Sequence, residues 1–376
     1  MKGKRVAIVC REASGFGGTT TTIVEHARRL SALGCGVDVY GWKLDRERLR
    51  EAGAAPMKVH GFSFGGTLKR KLFAWAADRA TARGYDVVHG HGDNYRQDVL
   101  SLHNCVHAAH EAVLGTPVDD SRGVAFIHAK QLRERRFKKL IANSRLMRAD
   151  VIERFGVPEK MIEVIYPGHD PRRFKAADKD RLRERTRREL GFAPDELVFG
   201  LITSGDFVKR GVNDFVAALG LVARAKIKLK ALVMGKEAKL GPYLREAGQE
   251  GLQGALTFQP AAADVERFYH ALDVYVHPAR FEEFGQSLQE ALACGLPVVT
   301  TARVGAAELL SGEAREGIVE RVGPAALAET LARFATDEGL RARLTRLAPS
   351  LVAGNTWDAN FTATLKAYSA VIENRA

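Results

Sequence analysis

The sequence predicts an α/β protein built from two doubly wound parallel sheets. Twelve short β-rich runs alternate with helical segments from end to end, the pattern of parallel strands joined by crossover helices. Several runs lead into glycine-containing loops that open helices, where open α/β sheets bind their ligands. Two prolines and a glycine interrupt the alternation at Tyr166-Pro167-Gly168-His169-Asp170-Pro171, a composition that marks a linker. Twelve strands exceed what one twisted open sheet ordinarily holds. The expected division is residues 1–168 and residues 169–355.

In the first half the expected strands are Val6–Cys10, Gly36–Gly41, Met57–Phe62, Asp86–His89, Val99–His103 and Leu140–Ser144. The stretch before Cys10 is basic then apolar, too short for a signal peptide, and reads as a first buried strand. The loop Arg11–Thr19 follows, leading into a helix near Thr19. It carries three glycines but lacks the G-x-G-x-x-G spelling, and no acidic residue at the end of the second strand is placed to read a ribose, which argues against a dinucleotide. Gly17 and Gly18 let a substrate approach backbone N–H groups at the helix start; a tight strand–helix turn is the structural alternative. His89 and His91 end the fourth strand and His103 the fifth, followed by Asn104. Without a fixed-spacing pair of the HExxH kind they suit a substrate pocket better than a metal. Phe126–Ile141 reads as a basic helix, either a solvated face or a surface for anionic lipid.

In the second half the expected strands are Ile162–Tyr166, Leu197–Thr203, Leu229–Met234, Ala255–Phe258, Asp273–His277 and Pro297–Thr300. Lys209-Arg210-Gly211 closes the loop after Leu197–Thr203 and opens a helix over Val212–Ala223, well placed for a diphosphate. Gly205 lies in the same loop. Gly235 follows the next strand in another strand-end loop suited to a ligand. After Asp273–His277 comes an acidic loop with Glu282, Glu283, Phe284 and Gly285, then a helix over Gln286–Cys294 carrying Ser287 and Glu290, stopped by Gly295. Glu290 is placed to accept from a pair of ribose hydroxyls; a solvated helix glutamate is the alternative. The final helix spans about Thr356–Glu373, with Phe361, Leu365, Tyr368 and Val371 on one face.

Bulk composition narrows the function. Net charge is +12 and the pI about 9.6, which calls for a polyanionic partner: nucleic acid, an anionic membrane surface or a phosphorylated substrate. Aromatic residues are 8% and are not interleaved with the basic runs, which argues against nucleic acid. Four cysteines without a CxxC pair argue against a metal cluster or disulfide framework and fit a reducing cytoplasm. No apolar stretch reaches the 18 or so residues of a membrane span.

With these pieces in place the chain resembles a family 4 glycosyltransferase of the GT-B fold, over almost its whole length. The most specific part is Glu282, seven residues, Glu290, then Ala-Leu-Ala-Cys-Gly-Leu-Pro-Val-Val. The Lys209-Arg210-Gly211 loop, Gly17-Gly18, and Tyr166-Pro167-Gly168-His169-Asp170 before Phe174 agree in place and order. Within the family it is most similar to lipopolysaccharide core glucosyltransferases of the WaaG type, through Ser204-Gly205-Asp206-Phe207 before Lys209-Arg210. Two features depart from the family pattern: no Arg stands near Gly205, and Gln259-Pro260 replaces the usual glycine after the Ala255–Phe258 strand.

The resemblance implies two Rossmann-like domains facing a central cleft, the first, completed by the terminal helix at 356–376, binding acceptor and the second a nucleotide sugar. It implies retaining transfer of a hexose from a UDP-sugar to a lipopolysaccharide-core or lipid-linked saccharide. The nucleotide sugar is a co-substrate, and neither cofactor nor metal is expected. Glu282 would face the donor sugar, with His103 near it. Lys209 and Arg210 would neutralise the leaving diphosphate, assisted by backbone N–H groups of Phe284, Gly285, Gln286 and Ser287. Gly17, Gly18, Gly205, Gly235 and Glu290 complete the expected donor contacts, and His89, His91 and Asn104 are the candidate acceptor contacts. Glu283 is the acid expected to be replaceable. The expected location is cytoplasmic, peripheral on the inner face of the membrane, through Phe126–Ile141 and Lys69-Arg70-Lys71. Two other readings are a GT-B nucleotide-sugar 2-epimerase and a non-enzymatic basic protein binding membrane or nucleic acid.

Overall fold

The computed structural model describes residues 1–15, 17–59 and 65–373. The chain divides into two α/β units, one of Met1–Gly168 with Trp357–Ala376 and one of His169–Thr356.

In the first unit the main strands are β1 (Arg5–Val9), β3 (Gly36–Gly41), β5 (Ala55–Lys58), β6 (Val87–Gly90), β7 (Val99–Ser101), β8 (Lys139–Ala142) and β9 (Ile162–Val164). They form a parallel sheet in the order β5-β3-β1-β6-β7-β8-β9. Two-residue segments β2 (Glu12–Ala13) and β4 (Lys43–Leu44) pair separately. Val6, Ala7, Ile8 and Val9 are fully buried, because helices cover both faces of such a sheet and leave no polar side to alternate. Each such valine or isoleucine contributes about 1.5–3 kcal/mol through burial. The order reverses between β1 and β6, so the loops after these two strands flank the unit's switch point. The expected strand Met57–Phe62 begins earlier, at Ala55, and its end at 60–62 lies outside the described residues.

The second unit holds β10 (Val198–Ile202), β11 (Lys230–Gly235), β12 (Leu256–Pro260), β13 (Val274–His277), β14 (Val298–Thr301) and β15 (Ile318–Val319). Their order is β12-β11-β10-β13-β14-β15, all parallel. Here the switch point lies between β10 and β13, so the Thr203–Gly211 and Pro278–Gly285 loops face one another across it.

The expected basic helix over Phe126–Ile141 is corrected. The helix is Gly123–Glu134 and stops at Arg135, whose φ of 53° is left-handed. Lys139–Ala142 is strand β8, and Phe137, Leu140 and Ile141 are buried in the sheet layer rather than on a helix face. The basic residues are also largely neutralised. Lys130 and Arg136 pair with Glu134, Arg133 with Asp120 and Lys139 with Glu163.

The terminal helix, Trp357–Glu373, belongs to the first unit and buries Trp357, Phe361, Tyr368 and Val371 there. Among the described residues no helix is long and apolar enough to cross a membrane.

Candidate active site

Four charged side chains meet at the switch point of the second unit. Gly211 turns the chain into the Val212–Arg224 helix with φ of 71°, and a Cβ there would stand 2.1 Å from the Pro278 carbonyl oxygen. Only glycine allows that approach, which draws the β10 loop onto the β13 loop. The Arg280 amide donates to the Lys209 carbonyl at 3.0 Å, joining the two loops again. The Glu282–Phe284 segment is fixed from its other side: the Glu282 amide donates to Arg303, and Glu282 and Phe284 accept from Gly305 and Ala306.

On this frame Lys209 Nζ donates to both oxygens of Glu283, at 3.0 and 2.7 Å. Arg210 forms an ion pair with Glu282, and its Nε donates to Thr203 Oγ1 at 3.2 Å. Glu282 and Glu283 are 8% and 4% exposed. Burial alone would raise the Glu282 carboxyl, but Arg210, His277 and Lys209 more than offset it and hold it below the ordinary carboxylate range. Buried His277 sits 3.7 Å from Glu282 Oε2, and burial pushes its ring below the ordinary value. Glu283, the acid expected to be replaceable, is the carboxylate that holds Lys209.

Glu290 lies on the Gln286–Ala293 helix, which opens at Gly285 with no side chain capping it. The fully buried Tyr269 hydroxyl donates to Glu290 Oε2 at 2.9 Å. Burial pushes the Glu290 carboxyl up to about 7, although the Tyr269 hydrogen bond and Arg173 pull the other way. Tyr275, whose ring lies tilted against Tyr269 with centroids 5.7 Å apart, places its hydroxyl 2.7 Å from Ser287 Oγ. Sequence patterning had no means to find Tyr269 and Tyr275 as supports, because both read as ordinary strand and helix aromatics. Gly205 and Gly235 are explained by packing. A Cβ on Gly205 would stand 2.8 Å from the Lys236 carbonyl oxygen, and one on Gly235 would stand 2.6 Å from the Phe207 ring.

The first unit places His26, His89, His91 and His103 in a row of neighbouring rings. His89 is fully buried, with Nδ1 at 2.7 Å from the Tyr368 hydroxyl and Nε2 at 2.7 Å from Ser101 Oγ. With both nitrogens engaged and no exposed surface it has nothing left for an acceptor, so its expected role is corrected to a core one. His91 Nδ1 and His103 Nε2 are 2.7 Å apart, rings stacked at 5.0 Å. Burial holds both rings neutral, His103 at about 4. Both line a cavity of about 230 Å³ with Asn104. Gly17 caps the Gly18–Ala32 helix with ordinary extended geometry and open space at its Cβ. Among the described residues no group of three His, Cys, Asp or Glu is arranged to hold a metal ion.

Comparison with known proteins identifies the family. Residues 16–173 match the domain described as Glycosyltransferase Family 4, and residues 183–350 match Glycosyl transferases group 1. The chain belongs to the family 4 glycosyltransferases. Curated relatives include a D-inositol 3-phosphate glycosyltransferase of Salinispora arenicola (strain CNS-205), 29% identical over 246 residues, covering 62% of this chain and 55% of the relative. One of Kribbella flavida (strain DSM 17836 / JCM 10339 / NBRC 14399) is 25% identical over 398 residues, covering 96% and 92%. The chain spans about half the length of the first curated relatives it matches. Among solved structures, WaaG, a glycosyltransferase involved in lipopolysaccharide biosynthesis, aligns with a TM-score of 0.81 at 22% identity, covering 96% of this chain and 98% of WaaG. Anabaena HepE, solved with UDP and glucose, aligns with a TM-score of 0.77 at 18% identity, covering 98% and 100%. These alignments establish the GT-B fold, two Rossmann-like units.

Proposed function

We propose that this glycosyltransferase moves a hexose from a UDP-sugar to a lipopolysaccharide-core or lipid-linked saccharide, retaining the donor's anomeric configuration without a metal or other cofactor. The observation that carries the reading is the cluster Lys209–Glu283 and Arg210–Glu282 at the switch point of the second unit. Lys209 and Arg210 supply positive charge to the leaving diphosphate, and the start of the Gln286–Ala293 helix adds backbone dipoles. That charge supports departure of the diphosphate without a divalent ion. Ionised Glu282 accepts from hexose hydroxyls. Glu290, oriented by Tyr269, accepts from the ribose diol. HepE's complex with UDP and glucose supports the choice of donor.

The acceptor has two readings. The WaaG likeness favours a lipopolysaccharide saccharide, and the curated relatives favour a phosphorylated polyol. The test is incubation with UDP-hexoses and each acceptor class in EDTA, with the product's anomeric configuration read by NMR. An inverted product, or activity abolished by EDTA and restored by a divalent ion, contradicts the mechanism. An epimerised nucleotide sugar formed without acceptor favours the epimerase reading instead.

The reading includes a peripheral position on the cytoplasmic face of an anionic membrane. The Gly66–Ala80 helix is better suited to this than the paired residues around Arg133. Leu68 and Trp75 are 50% and 58% exposed, at helical spacing with Leu72. Lys69, Lys71 and Arg79 flank them, the combination that seats a helix in a headgroup layer.

A further inference from the structure

The cavity of the first unit carries two guanidinium groups that nothing in the chain fully uses. Arg11 follows β1 and Arg70 lies on the Gly66–Ala80 helix; both line the cavity with His91, Asp93, His103 and Asn104. Their side chains are only 25% and 24% exposed. Both converge on one carboxylate, Asp93 Oδ1, at 3.9 Å from Arg11 Nε and 3.8 Å from Arg70 Nη1. Those separations are too long for hydrogen bonds. The other Asp93 oxygen is already spent, accepting from the Arg11 backbone amide at 2.8 Å. Arg11 Nε is buried without a hydrogen-bond partner, and so is His91 Nε2. Burial, then the neighbouring Arg11 charge, pushes Arg70 below its ordinary value. Glu12, also at the cavity, is occupied by Lys43 at 2.8 Å.

The charge count is therefore two guanidiniums against one available carboxylate, with donors left over. A buried donor without a partner calls for an explanation, and a bound acceptor supplies one here. Guanidinium forks match the oxygens of a phosphate two at a time. The location agrees, since the cavity lies at the carboxyl ends of β1 and β6, where the strand order reverses. Its volume of about 230 Å³ falls short of the roughly 300–1,000 Å³ that encloses a whole drug-sized ligand. It fits one group of a larger molecule.

We propose that Arg11 and Arg70 form a phosphate subsite, and that the acceptor carries a phosphate bound there. The assignment to an acceptor rests on the transferase reading above; the phosphate subsite itself does not. Arg70 serves this cavity, whereas Leu68 and Trp75 on the same helix are exposed, so the basic run Lys69-Arg70-Lys71 has divided duties.

Calorimetric titration of inorganic phosphate into the full chain tests this, with saturating UDP present to occupy any diphosphate site in the second unit. One phosphate is expected to bind, with Arg11→Gln and Arg70→Gln each weakening it about tenfold or more, as loss of a charge-assisted hydrogen bond requires. Arg70→Lys, which keeps charge but loses the fork, is expected to fall between. Acetate is expected to compete poorly. The melting temperature of each variant separates lost binding from lost folding. Phosphate affinity unchanged in both glutamine variants, or acetate competing as well as phosphate, overturns the proposal. Failure of UDP to bind the wild-type chain counts against the donor reading alone, and the phosphate arm is still read from the variants.

Discussion

Lys209 and Glu283 lie 74 positions apart in sequence, yet the lysine ammonium donates to both carboxylate oxygens of the glutamate, at 2.7 and 3.0 Å. Their loops leave adjacent strands, β10 and β13, on either side of the sheet's reversal. With side chains 15% and 5% exposed, the pair is largely out of water. Glu283→Ala leaves Lys209 uncompensated, and breaking a buried pair this way costs about 3 kcal/mol. Chemical denaturation is expected to show that loss, with Lys209→Met in the same chain recovering part of it. Equal stability of Glu283→Ala and wild type contradicts the pairing.

Glu290 gives the apo protein a pH dependence whose sign is fixed. Its folded carboxyl stands at about 7 against an ordinary 4.5, so the folded state holds a proton that the unfolded state has lost between those values. Stability from this group falls as pH rises through that window and is level above it. Glu290→Gln is expected to add about 1–3 kcal/mol at pH 8 and nothing at pH 4. UDP affinity of the wild type is expected to rise as pH passes 7, because the ribose diol needs the ionised acceptor. Thermal melts and titrations from pH 4 to 8 check both; a gain at pH 4 equal to that at pH 8 contradicts the assignment.

Gly211→Ala is expected to cost at least about 1–3 kcal/mol, the scale of a non-glycine residue forced into strained backbone. The added carbon meets the Pro278 carbonyl, and relief requires moving the loop that carries Lys209 and Arg210. Donor affinity should fall with the melting temperature. A variant with wild-type stability contradicts the close approach.

His89→Leu is expected to lose about 2–4 kcal/mol, because the buried Tyr368 and Ser101 hydroxyls are left unpaired. The acceptor KM of the remaining folded enzyme should not change. A raised KM at unchanged stability would restore His89 to the substrate site.

Binding to anionic vesicles should fall sharply in Leu68→Glu with Trp75→Glu, and persist when Arg133, Arg136 and Lys139 are reversed in charge. Sedimentation with phosphatidylserine vesicles reads the difference. The opposite pattern returns the docking surface to the Gly123–Glu134 region.

The strands were legible because they are uniformly apolar and buried on both faces, as in Val6–Val9 and Val198–Ile202. The two-residue strands β2, β4 and β15 carry too little pattern to be read. The helix expected over Phe126–Ile141 failed because Phe137, Leu140 and Ile141 continue a helical period that Arg135 breaks through its left-handed backbone. At the candidate site the charged residues were legible one by one, but their partners were not. Pairing Arg210 with Glu282 and Lys209 with Glu283 depends on strand order, which no local spacing encodes. Arg11 was hidden for the same reason: it meets Asp93 only because β1 and β6 are neighbours at the reversal.

The most direct measurement is calorimetric titration of UDP into wild type, Lys209→Ala with Arg210→Ala, and Glu290→Ala. Wild type is expected to bind one UDP per chain. The double variant should bind about 100-fold or more weakly, the loss of two charge-assisted contacts, and Glu290→Ala should also weaken binding. UDP affinity unchanged across these proteins would contradict a nucleotide-sugar site at Lys209, Arg210 and Glu290.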